Sequence, residues 1–320
     1  MGDAAGSRHT CAMNKVKERV VVIGDALIDE LRDEHGVREL VGGAALNVAV
    51  GLQQLGVPAT LIAMVGNDEA GDHIRRYLAD YGVALIETTS PLGSSRAVST
   101  RVNGEPHYAF NDAAWARRIE FGAAQRAAIV DAAAVVISCF PFDDGPQTSA
   151  LAEALAETEA IVAIDPNPRA GMLHDREDFV RGFEALAPDA ALLKVGDDDA
   201  ALLYETSLDE LRQRLGDLGA QVVVATRGAD GATIDADGFV VSAPISVLPG
   251  PVVDTMGAGD ATLSSLIAEL VRGGAPASAE GWKAALERAM DVAAATCRAE
   301  GALLRQPADP GASPLDRIST

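Results

Sequence analysis

The chain has 320 residues, enough to bury a substantial core in one large α/β domain or two smaller ones. Acids outnumber bases 47 to 26, and the net charge of −21 argues against a general nucleic-acid surface or an anionic-membrane surface. A phosphate would therefore need a local site, and lysines to build one are scarce: only Lys15, Lys17, Lys194 and Lys283 are present.

Residues 1–18 are polar and predict a flexible leader. From there short β-branched runs alternate with amphipathic stretches. The runs are RVVVIG (19–24), ATLIAMVG (59–66), AAVVIS (133–138), AIVAID (160–165), ALLKVG (191–196) and QVVVAT (221–226). Each is continuously apolar, the pattern of a strand buried on both faces. Amphipathic segments at 45–55 and 69–81 are followed by Gly56 and Gly82, placed as helix stops. Strand, helix, strand repeated in this way predicts a mostly parallel sheet covered on both sides, an α/β fold of three layers.

Two regions break the rhythm. Residues 30–41 and 94–111 alternate polar and apolar positions, and Asn103-Gly104 marks a hairpin turn. They predict a small antiparallel lid whose open edges invite a homodimer. Tyr108, Phe110, Trp115 and Phe121 cluster here, placed either to pack or to line a ligand. Residues 306–320, rich in Pro, Gly, Ser and Asp, predict a second flexible terminus.

The three cysteines, Cys11, Cys139 and Cys297, form no CxxC pair, as in a reducing cytosol, and the five histidines never fall at metal-ligand spacing. No apolar run is long enough for a membrane span. These features predict a cytoplasmic protein.

The stretch DTMGAGDATLSS (254–265) carries the chemistry. Leu263, Leu266, Ile267, Leu270 and Val271 follow a helical stripe, so GAGD sits at or just before a helix N-terminus. Backbone N–H groups there are unpaired, the helix dipole favours negative charge, and Gly257, Ala258 and Gly259 let a ligand approach closely. Asp260 in that first turn could cap the helix or take a proton from a hydroxyl that attacks phosphorus. No Gly-Lys pair marks a P-loop, and Gly257-Ala258-Gly259 lacks the third glycine of a Rossmann turn.

DTMGAGD resembles the C-terminal signature of the ribokinase-like (PfkB) carbohydrate kinases. GGAALNVAVGLQQLG (42–56) resembles their N-terminal signature, and the resemblance runs from about residue 19 to 305, in the expected order. It implies a ribokinase-like kinase domain at 19–305, with Asp260 as catalytic base and Gly257, Ala258 and Gly259 as anion hole. It further implies acceptor contacts from Asp29 in VVVIGDALIDEL and from Gly43 and Asn47. VVVATRGADGA (222–232) is similar to the turn that approaches the nucleotide phosphates, matching Thr226 and Gly228. ATP and Mg²⁺ are the implied cofactors, with a monovalent cation as an open requirement, and a small sugar is the implied partner.

DPNPR (165–169) resembles an element of fructokinase-like and 2-keto-3-deoxygluconate kinase-like members, and Arg169 offers a planar fork for an anionic oxygen or a solvated turn. Two departures stand out. Asn111 falls where many such members carry Arg, and the family's Asn-x-x-Glu element, which arranges magnesium, is GDDD (196–199), leaving Asp199 as the carboxylate. Lys194 ends a strand and either reaches a phosphate or is solvated. The acceptor implied is a ketose or keto-sugar acid, with ribokinase-like, nucleoside-kinase and non-catalytic sensor readings as alternatives.

Overall fold

A computed structural model describes residues 17–33, 36–102, 105–236 and 238–307. The Asn103-Gly104 turn and most of the two terminal segments lie outside them. Among the described residues thirteen strands form two sheets. The larger has the order β13-β12-β11-β10-β9-β8-β1-β4-β5. Its members are β1 (Val20–Gly24), β4 (Ala59–Gly66), β5 (Ala84–Ser90), β8 (Ala134–Ser138), β9 (Ile161–Asp165), β10 (Leu192–Gly196), β11 (Val222–Thr226), β12 (Ala232–Ala236) and β13 (Phe239–Ala243). From β11 across to β5 every neighbour is parallel; β12 and β13 add an antiparallel edge.

Strand alternation divides the core into two layers. Val20 and Val22 face helices α1 (Ala44–Gln54), α2 (Glu69–Asp80), α9 (Ala258–Gly273) and α10 (Ala279–Thr296). Val21 and Ile23 face α4 (Ala123–Val130), α5 (Gly145–Leu155), α6 (Arg176–Leu186) and α8 (Leu208–Asp217). The short helices α3 (Asp112–Trp115) and α7 (Asp197–Asp199) sit at strand ends. Because β1 pairs with both β4 and β8, the chain winds outward from β1 in both directions. The carboxyl ends of β1 and β8 thus flank a crevice of the kind where parallel sheets hold ligands.

The smaller sheet, β3-β2-β6-β7, is mixed and not purely antiparallel as expected: β2 pairs antiparallel with β3 but parallel with β6. It comprises β2 (Leu27–Asp33), β3 (Gly36–Gly42), β6 (Ser95–Val102) and β7 (Glu105–Phe110). Asp29 therefore lies within a strand of this sheet. Of the aromatic cluster, Phe110 packs with Ala44, Ala114, Cys139 and Met172, Phe121 stacks toward Phe140, and Trp115 meets His174 edge-on at 4.2 Å.

Asp68 fixes the passage from β5 into the small sheet. It caps α2 through Gly71 N–H at 2.8 Å and also accepts from the backbone N–H and hydroxyl of Ser94, at 2.8 and 2.6 Å. The same hydroxyl accepts from Gly66 N–H at 3.0 Å. The chain is so close here that a Cβ on Gly66 would fall 2.2 Å from the Ser94 nitrogen. Gly66→Ala is expected to destabilise the protein by about 1–3 kcal/mol, the usual cost of overpacking. A urea midpoint equal to that of the wild type would show that this crossing has slack.

Candidate active site

Helix α1 and helix α9 bring the two glycine-bearing motifs together. Gly51 lets them approach, since a Cβ there would lie 2.8 Å from Ser264 Oγ. Ser264 in turn donates to the Asp260 carbonyl at 2.7 Å, one turn back in its own helix. The result is a direct contact: Asn47 Nδ2 donates to Asp260 Oδ2 at 2.9 Å.

Gly257 begins α9 with φ 75°, a left-handed conformation open to glycine, and a Cβ would strike the Ala302 carbonyl at 2.5 Å. Ala258 N–H turns back to Thr255 O at 3.3 Å, whereas the N–H groups of Gly259 and Asp260 have no acceptor among the described residues. Asp254 is spent on the loop itself, accepting from Met256 N–H and Gly301 N–H, both at 3.0 Å. Backbone donors at the head of a long helix, one buried carboxylate among them, can hold a phosphoryl group and receive a proton.

Burial pushes Asp260 up to about 6; Asn47, Lys194 and Arg169 oppose that rise and the Asp165 charge adds to it. Lys194 is 6% exposed, which excludes the solvated strand end. Its Nζ sits 3.1 Å from Asp165 Oδ2, and a Cβ on Gly259 would lie 3.0 Å from the same atom. Asp199 is also raised by burial, to about 6, with Lys194 opposing; its Oδ2 accepts from Gly196 N–H at 2.6 Å.

The acceptor side lies between β1, α1 and the small sheet. Gly42 and Gly43 have separate jobs. A Cβ on Gly42 would lie 2.1 Å from Asp29 Oδ2, and one on Gly43, at φ 112°, would lie 2.9 Å from the Asp25 carbonyl. Asp25 and Gly42 were not among the expected site residues, although both stand in the quoted motifs. Asp25 is buried and accepts from Ala45 N–H at 3.0 Å, fixing the start of α1. Arg169 follows Asn167, whose φ is 40°, and its guanidinium makes no hydrogen bond or ion pair among the described residues. Desolvation works against its charge, but Cys139, Asp260, Asp25 and Asp165 outweigh it.

Asn111 is engaged by the backbone. Its oxygen accepts from Arg96 N–H and Ala114 N–H, each at 3.0 Å, and its amide donates to Ser94 O at 2.9 Å. It ties the small sheet to α3, with its oxygen and one of its two N–H donors already bonded to the backbone. Thr226 and Gly228 lie at the end of β11, where Thr226 Oγ1 donates to Val195 O at 3.3 Å and the space beside Gly228 is open.

Asp29 makes the site's electrostatics measurable. Burial, with Asp25 adding and Arg169 opposing, pushes it up to about 7 from 3.8. A carboxyl raised in the folded state binds protons better there, so its stabilising contribution is full below the unfolded value and is lost as pH rises through the folded one. At about pH 8 Asp29→Asn is expected to melt above the wild type, and the gap should close toward about pH 4. Calorimetry over that range would refute the assignment if the two proteins melted in parallel.

The family model for "pfkB family carbohydrate kinase" matches residues 17–309. A fructokinase of Rhizobium leguminosarum bv. trifolii is 30% identical over 264 residues, covering 78% of this chain and 79% of the relative. Two solved structures share the fold. A fructokinase with bound ATP from Xylella fastidiosa has TM-score 0.75 at 21% identity over 90% of this chain and 94% of its own. An aminoimidazole riboside kinase from Salmonella enterica, complexed with aminoimidazole riboside and an ATP analog, has TM-score 0.74 at 24% identity over 90% and 97%. Among the described residues no helix is long and apolar enough to cross a membrane. The chain belongs to the pfkB family of carbohydrate kinases and is an ATP-dependent carbohydrate kinase of ribokinase-like fold.

Proposed function

We propose that the protein transfers the γ-phosphoryl group of ATP to a primary hydroxyl of a ketose or keto-sugar acid, in the manner of a fructokinase. The observation that carries this reading is the buried Asp260 carboxylate, held by Asn47 in the first turn of α9 beside two free backbone N–H groups. Asp260 takes the proton of the acceptor hydroxyl as its oxygen forms the bond to the γ-phosphorus. The bond from that phosphorus to the β,γ-bridging oxygen breaks, and its electron pair leaves with ADP. The N–H groups of Gly259 and Asp260 stabilise charge on the moving group, which is where such a site does most of its work.

Asp29, with Gly42 and Gly43 making room, and Asn47 face the acceptor hydroxyls, while Arg169 offers a donor fork to an acceptor oxygen. Thr226 and Gly228 flank the nucleotide phosphates at the next strand ends. Among the described residues no group of three His, Cys, Asp or Glu side chains could cage a metal. That fits Mg²⁺, which in kinases is held largely by nucleotide oxygens and water, with Asp199 as the nearby carboxylate. Mg²⁺ neutralises phosphate charge when bound.

The deciding assay is ADP release from Mg-ATP against fructose, 2-keto-3-deoxygluconate, ribose, adenosine and pseudouridine. Turnover on fructose or the keto acid is expected, and Asp260→Asn should lower kcat by roughly 10²–10⁴-fold while sugar binding stays within a few-fold. Below about pH 6 the wild-type rate should fall as Asp260 protonates. Ligand-induced stabilisation with no ADP release on any acceptor would replace this reading with a sensor; turnover confined to a nucleoside would replace the acceptor.

A further inference from the structure

Beneath the Gly257–Gly259 loop the sheet carries a second layer of charge that the transfer reaction above does not use. Asp165 ends β9, and Lys194 stands two residues before the end of the neighbouring β10. The Lys194 ammonium contacts both Asp165 oxygens, at 3.1 and 3.3 Å. On its other side is the Gly259 backbone, so close that a Cβ would fall 3.0 Å from Nζ. Lys194 is 6% exposed and Asp165 0%. An ammonium so placed lies behind the anion hole, and its reach is already spent on Asp165.

Three buried carboxylates, Asp165, Asp199 and Asp260, share this one ammonium. Burying a carboxylate costs several kcal/mol unless a partner offsets it, and like charges in one site raise each other's affinity for protons. Without a central cation at least one of the three would take up a proton. Removing a positive charge and removing a negative one must then act on Asp260 in opposite directions.

We propose that Lys194 is a positioning residue for phosphoryl transfer: clamped by Asp165 against the back of Gly259, it sets the backbone of the anion hole and supplies the counter-charge for Asp260. The proposal rests on Asp260 being the base. The groups that face Asp260 are Asn47 from α1, Lys194 from β10, Asp165 from β9 and Arg169 from the turn after it. Of these, Asn47 bonds the Asp260 carboxylate directly, and Lys194 is held by Asp165 against the backbone of Gly259. A side chain at 259 would press on the Lys194 ammonium through the same contact.

The test compares full-length wild type with Lys194→Met, Lys194→Arg, Asp165→Asn and the Lys194→Met/Asp165→Asn double variant. One readout is the ¹³C carboxyl titration of Asp260 in the unliganded protein, its signal identified by loss in Asp260→Asn. The other is the pH profile of kcat/KM with the acceptor found active. Lys194→Met should move the Asp260 midpoint and the acid limb upward by about one pH unit or more, and Asp165→Asn should move both downward. The double variant, a neutral pair in place of an ion pair, should return toward the wild type. Lys194→Arg should keep the midpoint but lower kcat, because its larger head displaces Gly259. Coincident midpoints in wild type and either single variant overturn the proposal, as does Arg behaving like Met. If Lys194→Met does not fold, Asp165→Asn alone decides through the direction of its displacement. If no acceptor turns over, the proposed acceptor class fails, and the carboxyl titration still decides the role of Lys194.

Discussion

The hydrogen bond from Asn47 to Asp260 is the constraint on which the rest of the structure depends. It joins residues 213 apart, and it holds a carboxylate that is 8% exposed. A buried acid with no donor would lose its charge, so the bond needs a neighbouring helix at a set depth and rotation. Two small features provide that. Gly51 removes the side chain that would hold α1 away from α9, and Ser264 fills the gap while bonding back to its own helix. The buried start of α1 is set in turn by Asp25, whose carboxylate accepts from Ala45 N–H and whose carbonyl accepts from Leu46 N–H at 3.2 Å. Strand β1, helix α1 and helix α9 are thus one mechanical unit with the Asn47-Asp260 contact at its centre.

Charge around that unit is organised by side. Toward the small sheet stand Asp25 and Asp29, and Arg169 is the cation whose charge acts on Asp25, Asp29 and Asp260. Toward β10 and β11 stand Asp165, Asp199 and Lys194. A chain with a net charge of −21 repels nucleotide phosphates at long range. Binding must come from short-range donors, and the fold places backbone N–H groups where the carboxylates are pinned by neighbours of their own. Arg32 and Arg96 of the small sheet pair with Glu30 and Glu39 within it, and Arg38 pairs with Glu300 beyond α10, so these arginines add little to that attraction.

Much of this was legible in the amino-acid order because it is local. Six of the sheet's strands appear as continuous apolar runs, and Gly56, Gly82 and Gly257 mark helix boundaries through their backbone freedom. The signatures at 42–56 and 254–260 announced a site whose two halves the fold brings into contact. What stayed hidden depends on partners far along the chain. The β12–β13 hairpin is antiparallel because a short turn returns the chain onto β11, and neither segment carries a long apolar run. Nothing in VVVIGDALIDEL reveals that Asp29 lies inside a strand, its carboxylate filling the space over Gly42. Lys194 reads equally as a phosphate ligand or a solvated end, because nothing in ALLKVG reveals Asp165 one strand away.

The two departures from the family pattern have different physical consequences. At Asn111 a donor for ligand has become structure, with every polar atom of the amide bonded to the small sheet or α3. At Gly196 the change preserves the acid's surroundings by another route. Asp199 draws a backbone hydrogen bond from Gly196 N–H, and a Cβ at 196 would stand 3.2 Å from Thr226 Oγ1 and 3.8 Å from Asp199 Oδ2. An asparagine there would have to share that space with the Thr226 hydroxyl. Glycine instead brings β10 close to β11, where Gly196 pairs with Thr226 in register, and lets a shorter acid be oriented by the main chain. The carboxylate is then fixed by strand geometry, which a ligand can disturb less easily than a side-chain contact.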